Sequence, residues 1–168
     1  MDDRQQVSAE QAAGLVVIQV DEIPQEIAEL TMADPDHVDC QRLLTDQAAS
    51  CPPERWARVA LDDIGGAQGQ FIWRAVLGLR LASRSAPGHV AGWRIAEQTP
   101  TWIRLEAAGW LIAGEILVHL DDEHLSLVTA LRYRRRLAAY VWGALQGFHG
   151  RVAPSLLRET YVAIGPAA

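Results

Sequence analysis

The chain of 168 residues contains no lysine and no asparagine, and all fifteen of its basic side chains are arginine. Without lysine, the chain cannot form a Schiff base and has no phosphate-binding P-loop lysine, so both chemistries are excluded. The codons for lysine and asparagine are rich in A and T. Their absence therefore predicts a GC-rich bacterial genome.

Cysteines and long apolar runs are also scarce. Cys40 and Cys51 are the only two cysteines, and two thiols do not make the disulfide framework of a small secreted protein. The longest apolar runs are far shorter than a membrane span. The polar segment MDDRQQVSAE is unlike a signal peptide. We therefore predict a reduced, cytoplasmic protein that does not span a membrane.

The chain has no excess of positive charge. Its formal net charge is −6 at neutral pH, so no basic field favours binding to a nucleic-acid backbone. The short basic run RYRRR, at residues 132–136, lies at a predicted strand–helix junction and does not by itself indicate a polyanionic partner. We expect no nucleic-acid partner.

The first half of the chain predicts short elements of a single domain. Residues 1–13 are polar and aperiodic, which predicts disorder, and residues 14–168 form the predicted domain. Residues 14–20 predict a strand or an apolar clip, and residues 34–44 predict a turn that ends in a short strand. Ser50 is predicted to cap a helix at residues 51–61, and a second helix is predicted at residues 70–84. The Gly-rich segment 64–70 between them is predicted to be a flexible loop, and one hypothesis is that this loop is a lid over the entrance of a binding site.

Four strands joined by tight connections then predict an antiparallel meander over residues 89–134. A turn at residues 108–109 places Leu105 opposite Ile112. A turn at residues 122–123 places Val118 opposite Leu127. This register gathers apolar side chains on one face of the sheet, which supports it because a slip by one residue would bury the charged side chains. On the other face we expect cross-strand ion pairs among Arg104, Glu115 and Arg132.

A long amphipathic helix is predicted from about residue 137 to residue 161. Its apolar stripe, expected to cover the apolar sheet face, consists of Leu137, Val141, Leu145, Phe148, Val152 and Leu156. On the opposite side, Gly150 and Pro154 predict a kink. Gly143 and Gly147 indicate either close approach of another backbone, from a second subunit or the N-terminal segment, or glycines tolerated in a bent helix. The order of elements predicts an α+β fold with helices on one face of a curved sheet.

Several segments resemble the START-like (SRPBCC) superfamily, the helix-grip fold shared by polyketide cyclases, the birch-pollen allergen and lipid-transfer domains. They are DHVDCQRL in the first strand, GW at residues 92–93, LVTALRY at 127–133 and VWGALQGFHGRVAPSLL in the last helix. The resemblance is to an uncharacterised bacterial family within this superfamily and covers about residues 20–163. It implies a curved antiparallel sheet around the C-terminal helix, with two short helices after the first strand. Because this superfamily mixes binders, carriers and enzymes, the resemblance does not fix an activity.

The resemblance also implies a cavity between the sheet and the C-terminal helix. The nearly apolar inner face predicts that such a cavity holds a lipid, polyketide or aromatic compound. Two other hypotheses remain: a cyclase or hydratase using Tyr133, Thr129 or His149 for proton transfer, and a partner-binding or structural protein with a filled core. A homodimer is compatible with all three. The predicted ligand-binding residues are Trp93, Leu105, Ile112, Ile116, Thr129, Leu131, Tyr133, Val141, Leu145 and Phe148.

No cofactor or metal is predicted. His119 and His124 bracket an acidic turn, but the spacing matches no metal motif and acidic turns are common. His149 is a candidate ligand contact or general base, although a lone histidine on a helix more often bonds a nearby carbonyl or carboxylate. No nucleophile elbow is present in the sequence. Binding is therefore the first prediction and catalysis the alternative.

Overall fold

The computed structural model describes residues 15–165, so the predicted disorder of residues 1–13 lies outside the described residues. In this part of the chain a seven-stranded antiparallel sheet has the order β1-β2-β7-β6-β5-β4-β3. The strands are β1 Val17–Gln19, β2 His37–Leu44, β3 His89–Val90, β4 Trp93–Gln98, β5 Trp102–Ala108, β6 Ile112–Leu120 and β7 His124–Tyr133. The helices are α1 Gln25–Ala28, α2 Pro53–Arg58, α3 Gly66–Phe71 and α4 Leu137–Ile164. The predicted α+β, helix-grip fold is confirmed.

The second hairpin of the meander has the predicted register, with Val118 opposite Leu127. The predicted register of the first hairpin is wrong: Leu105 pairs with Ile116 and not with Ile112. The turn lies at residues 110–111, where the Gly109 N–H donates to the carbonyl oxygen of Ile112. The register error is four residues, and because that number is even the two faces of the sheet are unchanged.

Gly109 serves a close approach between backbones and not the predicted turn. It forms a bridge with Leu79, and a Cβ atom on Gly109 would lie 1.7 Å from the carbonyl oxygen of Gly78. No side chain fits in that space. The glycine therefore allows the segment after the central helices to pack against the end of β5.

The central helices differ from the prediction at both ends and in the middle. Ser50 lies in a 3₁₀ turn, Ala48–Ser50, and α2 begins at Pro53 without a side-chain cap. A π-helical segment, Val59–Ile64, continues α2, and another, Ile72–Val76, continues α3. The Gly-rich segment is therefore helical and not a loop, with a change of direction at Gly66, where φ is +45°. The predicted second helix ends at residue 76, because residues 79–80 instead hydrogen-bond toward β5.

The C-terminal helix α4 is confirmed and continues through Pro154. It packs against β1, β2, β7 and the Val59–Ile64 segment. The residues it buries are Ala138, Trp142, Ala153, Leu157 and Thr160. The predicted stripe is wrong as a description of the buried face, since the Leu137 side chain is 52% exposed. Small side chains at 138 and 153 allow close packing, and the bulkier predicted residues lie to one side of this line.

The glycines on the back of α4 face open space within the described part of the chain. A Cβ atom at Gly143, Gly147 or Gly150 would meet nothing within 4 Å. The N-terminal segment from residue 15 onward therefore does not approach them. A homodimer through this surface stays a prediction.

The outer face of the sheet carries a second, smaller core beneath the segment that links β1 to β2. Ile27 of α1 packs there with Cys40, Leu117 and Val128. Among residues 15–165, no helix is both long enough and apolar enough to cross a membrane.

The predicted ion pairs among Arg104, Glu115 and Arg132 do not form, and the cross-strand ion pair of Arg104 is with Glu97 of β4, at 3.3 Å. Arg104 donates to the Leu30 carbonyl oxygen at 3.0 Å, and Glu115 accepts from the Met32 N–H at 2.7 Å. Arg132 donates to the Ala33 carbonyl oxygen. These charged side chains hold the backbone of residues 30–33 against the sheet. The backbone groups of the sheet are already paired between its strands, so side chains supply the hydrogen-bond partners that residues 30–33 need.

Candidate functional site

A cavity of about 470 Å³ lies between the inner sheet face, α4 and the helical segment 61–77. Its apolar walls come from the sheet (Trp93, Ile116, Leu127, Leu131), from α4 (Leu145, Phe148, Val152, Leu156) and from the helical segment (Leu61, Ile64, Ile72, Trp73). At the rim, Gln68, Arg151, Ser155 and Glu159 are exposed. The volume is in the range of small-molecule sites.

Most of the predicted binding residues line this cavity: Trp93, Ile116, Thr129, Leu131, Leu145 and Phe148. The others do not. Leu105 and Ile112 are fully buried in the core, and Tyr133 and Val141 are partly buried against it. α2 packs against β5 and β6, the strands that carry Leu105 and Ile112. Because Tyr133 does not line the cavity, it is no candidate for proton transfer inside it.

The sequence prediction missed the wall formed by residues 61–77. Trp73 packs edge-on against Trp93, with ring centroids 5.6 Å apart. Ile64 and Ile72 also line the cavity. The spacing of Phe71, Ala75, Val76 and Leu79 predicts a different helical face, and the sequence predicts a loop at Gly65 and Gly66. Only the packing of these turns against α4 and the sheet shows which face is enclosed.

A polar cluster beside the cavity centres on the carboxylate of Asp39, whose side chain is only 9% exposed. His37 Nε2 lies 2.9 Å from Asp39 Oδ2, and His149 Nε2 lies 3.0 Å from the same oxygen. The His37 and Asp39 positions of β2 share one face of the strand, two residues apart. His149 comes from α4, so the cluster ties the helix to the sheet.

The indole of Trp142 packs against both imidazoles of this cluster. Its ring centroid lies 5.0 Å from that of His37 and 5.1 Å from that of His149. Within residues 15–165, the buried Nε1 atoms of Trp142 and Trp93 have no hydrogen-bond partner. Both tryptophans line the cavity, but their Nε1 atoms are buried within the wall and do not face the open space.

The positions of the protons follow from the charge of Asp39. Burial by itself would raise the pKa of Asp39, but the hydrogen bonds from His149 and His37 outweigh burial and hold that pKa below its ordinary value. The carboxylate is therefore ionised at neutral pH and can only accept hydrogen bonds. Each imidazole must carry a proton on Nε2, and a neutral His149 then has its lone pair on Nδ1.

Thr129 lies beside this cluster on the inner face. It is directly opposite Asp39 on one side and opposite Ile116 on the other. Its side chain lines the cavity together with that of His149. The cavity thus has apolar walls and one polar end, formed by the His149 imidazole and the Thr129 hydroxyl.

His37 and Asp39 were not among the predicted site residues. The only signal in the sequence was the pattern His-x-Asp in a strand, which places both side chains on one face. Their partner His149 is 110 positions away from Asp39, and no local pattern connects the two. The hypothesis that a lone histidine bonds a nearby carboxylate does describe His149.

The acidic hairpin between β6 and β7 is arranged as a turn. Asp121 accepts from the backbone N–H groups of Glu123 and His124 and from Arg42. Among residues 15–165, no group of three or more histidine, cysteine or acidic side chains is placed to hold a metal ion.

Comparisons of the chain with protein-family models, with curated proteins and with solved structures found no match. Function is therefore inferred from the cavity and from its polar end.

Proposed function

We propose that this protein is a START-like module that binds an apolar small molecule between the sheet and α4. The observation that carries the proposal is the cavity of about 470 Å³, with leucine, isoleucine and tryptophan on most of its wall. Apolar lining with a few convergent polar groups is typical of small-molecule sites. Burial of apolar ligand surface there contributes roughly 25 cal/mol per Å² before the costs of association.

A cavity of this size favours binding over the filled-core alternative. A filled core leaves few voids larger than a water molecule, whereas α4 turns Leu145, Phe148 and Leu156 toward an open space. The proposal extends to a bacterial, cytoplasmic protein. Support comes from the absence of lysine and asparagine in the sequence and from Cys40 and Cys51, which are both free thiols.

Two measurements test the binding proposal. A native mass spectrum of the purified protein should show a bound lipophilic molecule that leaves on denaturation. If the protein purifies without a ligand, the spectrum should show uptake of one added ligand per chain. N-phenyl-1-naphthylamine, an uncharged probe that fluoresces in apolar surroundings, should bind saturably with one probe per chain. A clean unliganded mass together with no saturable probe binding would contradict the proposal.

A pair of variants on adjacent positions of α4 locates the binding. Leu145→Trp places a larger side chain in the cavity and should weaken probe binding at least tenfold. Gln146→Trp adds the same side chain at an exposed position and should leave binding unchanged. Equal effects of the two variants would place the probe elsewhere.

A second candidate function is a proton-transfer enzyme of the cyclase or hydratase kind. The observation that favours it is the Asp39–His149 contact, because a carboxylate that orients an imidazole is the usual arrangement of a histidine base. Exchange of an acidic C–H of an aromatic ketone for deuterium, faster in the wild type than in His149→Phe, would support this function. Identical exchange rates would argue against it.

A further inference from the structure

The polar groups inside the cavity are concentrated at one place. His149 and Thr129 lie where α4 passes over β2 and β7, whereas the other polar side chains of the lining lie at the exposed rim. A ligand that fills the apolar part therefore places one of its ends against these two residues. The chemistry of that end of the ligand follows from what they offer.

The contact with Asp39 determines what His149 offers. Both Asp39 oxygens lie within 3.2 Å of His149 Nε2, so this nitrogen donates its proton to the carboxylate. The nitrogen left for the cavity is Nδ1, which makes no hydrogen bond to residues 15–165 and is an acceptor in neutral histidine. Thr129, which also lines the cavity, adds a hydroxyl that can donate or accept.

From this arrangement we infer that the ligand is an apolar molecule carrying a hydroxyl group, which donates to Nδ1 of His149 and accepts from a neighbouring donor. The inference rests on the proposed function, since it names the polar end of a ligand in the same cavity. A hydroxyl matches an acceptor and a donor placed side by side. An ether or a hydrocarbon leaves Nδ1 unpaired, and a carboxylate is repelled by Asp39, which lies directly behind His149.

Binding of a matched series of probes to the full chain tests the inference. The series is trans-stilbene, trans-4-methoxystilbene, trans-4-hydroxystilbene and trans-stilbene-4-carboxylate, measured by titration calorimetry at pH 7.5. We expect the hydroxyl compound to bind about tenfold or more tightly than the methoxy compound, since a site built for a hydroxyl discriminates against an analogue that lacks it. We expect the carboxylate to bind most weakly.

His149→Phe keeps a ring in place and removes the acceptor. It should bring the ratio of the affinities for the hydroxyl and methoxy compounds to about one, each affinity being compared with that for trans-stilbene in the same variant. If this variant does not fold, an NMR measurement on the wild type tests the same contact. The ¹⁵N resonance of His149 Nδ1 should shift on addition of the hydroxyl compound and not on addition of the methoxy compound.

The outcomes separate the inference from the proposed function. Similar affinities for the hydroxyl and methoxy compounds, or tighter binding of the carboxylate, would overturn the inference and leave apolar binding in place. An unchanged Nδ1 resonance on saturation with the hydroxyl compound would overturn it too. If no compound of the series binds, and N-phenyl-1-naphthylamine also fails, both the proposed function and the inference are wrong.

Discussion

Replacement of Asp39 by alanine tests whether the polar cluster holds α4 on the sheet. Asp39→Ala removes a buried carboxylate that accepts from His37 at 2.9 Å and from His149 at 3.0 Å. Hydrogen bonds to a charged group contribute about 1.5–3 kcal/mol each. The His37 and His149 side chains are 16% and 24% exposed, so water can replace part of this loss.

We therefore expect Asp39→Ala to lower the free energy of unfolding by about 3 kcal/mol, at the lower end of values for breaking a buried charged pair. For a chain of this length, such a change lowers Tm by roughly 6–12 °C. The assay is urea unfolding at pH 7, followed by tryptophan fluorescence, because Trp142 packs on both imidazoles. Asp122→Ala, at an exposed position of the β6–β7 turn, is the control and should change stability by less than about 0.5 kcal/mol.

The pH dependence gives an independent check with a definite sign. The pKa of Asp39 is lower in the folded protein than its ordinary value of about 3.9. Its stabilising contribution is therefore present above about pH 4 and is lost as the pH falls through the lower folded pKa. The difference in stability between wild type and Asp39→Ala should shrink in acid, as the pH falls through the folded pKa of Asp39. A loss below about 1 kcal/mol at pH 7, or a difference that does not shrink in acid, would refute the reasoning.

Three further predictions concern other parts of the chain. Gly147→Ala should stabilise the protein by about 1 kcal/mol in urea unfolding, because a Cβ atom there meets nothing within 4 Å. Gly109→Ala should destabilise it by about 1–3 kcal/mol, because the Cβ atom would strike a backbone oxygen. Equal effects of the two variants would contradict the assigned packing. Burial lowers the pKa of His119 in the folded protein, so the unfolded chain protonates this imidazole more readily. The free energy of unfolding should therefore fall as the pH drops below about 6.5. A His119→Phe variant with the same pH dependence as the wild type would contradict the assignment of this effect to His119. Burial raises the pKa of Cys40 to about 11, so at pH 8 a thiol reagent should modify the partly exposed Cys51 first and Cys40 only on unfolding; equal rates in the folded protein would be evidence against its burial.

The sheet shows how far local patterns reach. Alternation of apolar and polar residues assigned the faces of β5, β6 and β7 correctly, even though the first turn was placed two residues too early. An error of four in register preserves the faces because side chains alternate with a period of two. The pattern could not position the turn, because the role of Gly109 depends on a segment thirty residues earlier in the chain, at Leu79.

The α4 helix shows the opposite case. Its length and amphipathic character were predictable from the 3.6-residue period. The face that packs was not, because Leu145, Phe148 and Leu156 line a cavity, while Ala138 and Leu157 are buried in the packed core. Periodicity reports which residues avoid water, and it does not distinguish a packed wall from the wall of an open space.

The sequence by itself determined the class of fold, the faces of the meander, the long final helix and the apolar character of the inner sheet face. Those features depend on periodicity and composition, which are local and additive along the chain. The tertiary structure alone decided that the Gly-rich segment is a helical wall, that Arg104 and Glu115 hold a backbone segment, and that Asp39 meets His149. Each of these depends on partners far apart in sequence, brought together when α4 and the segment linking β1 to β2 pack on opposite faces of one sheet.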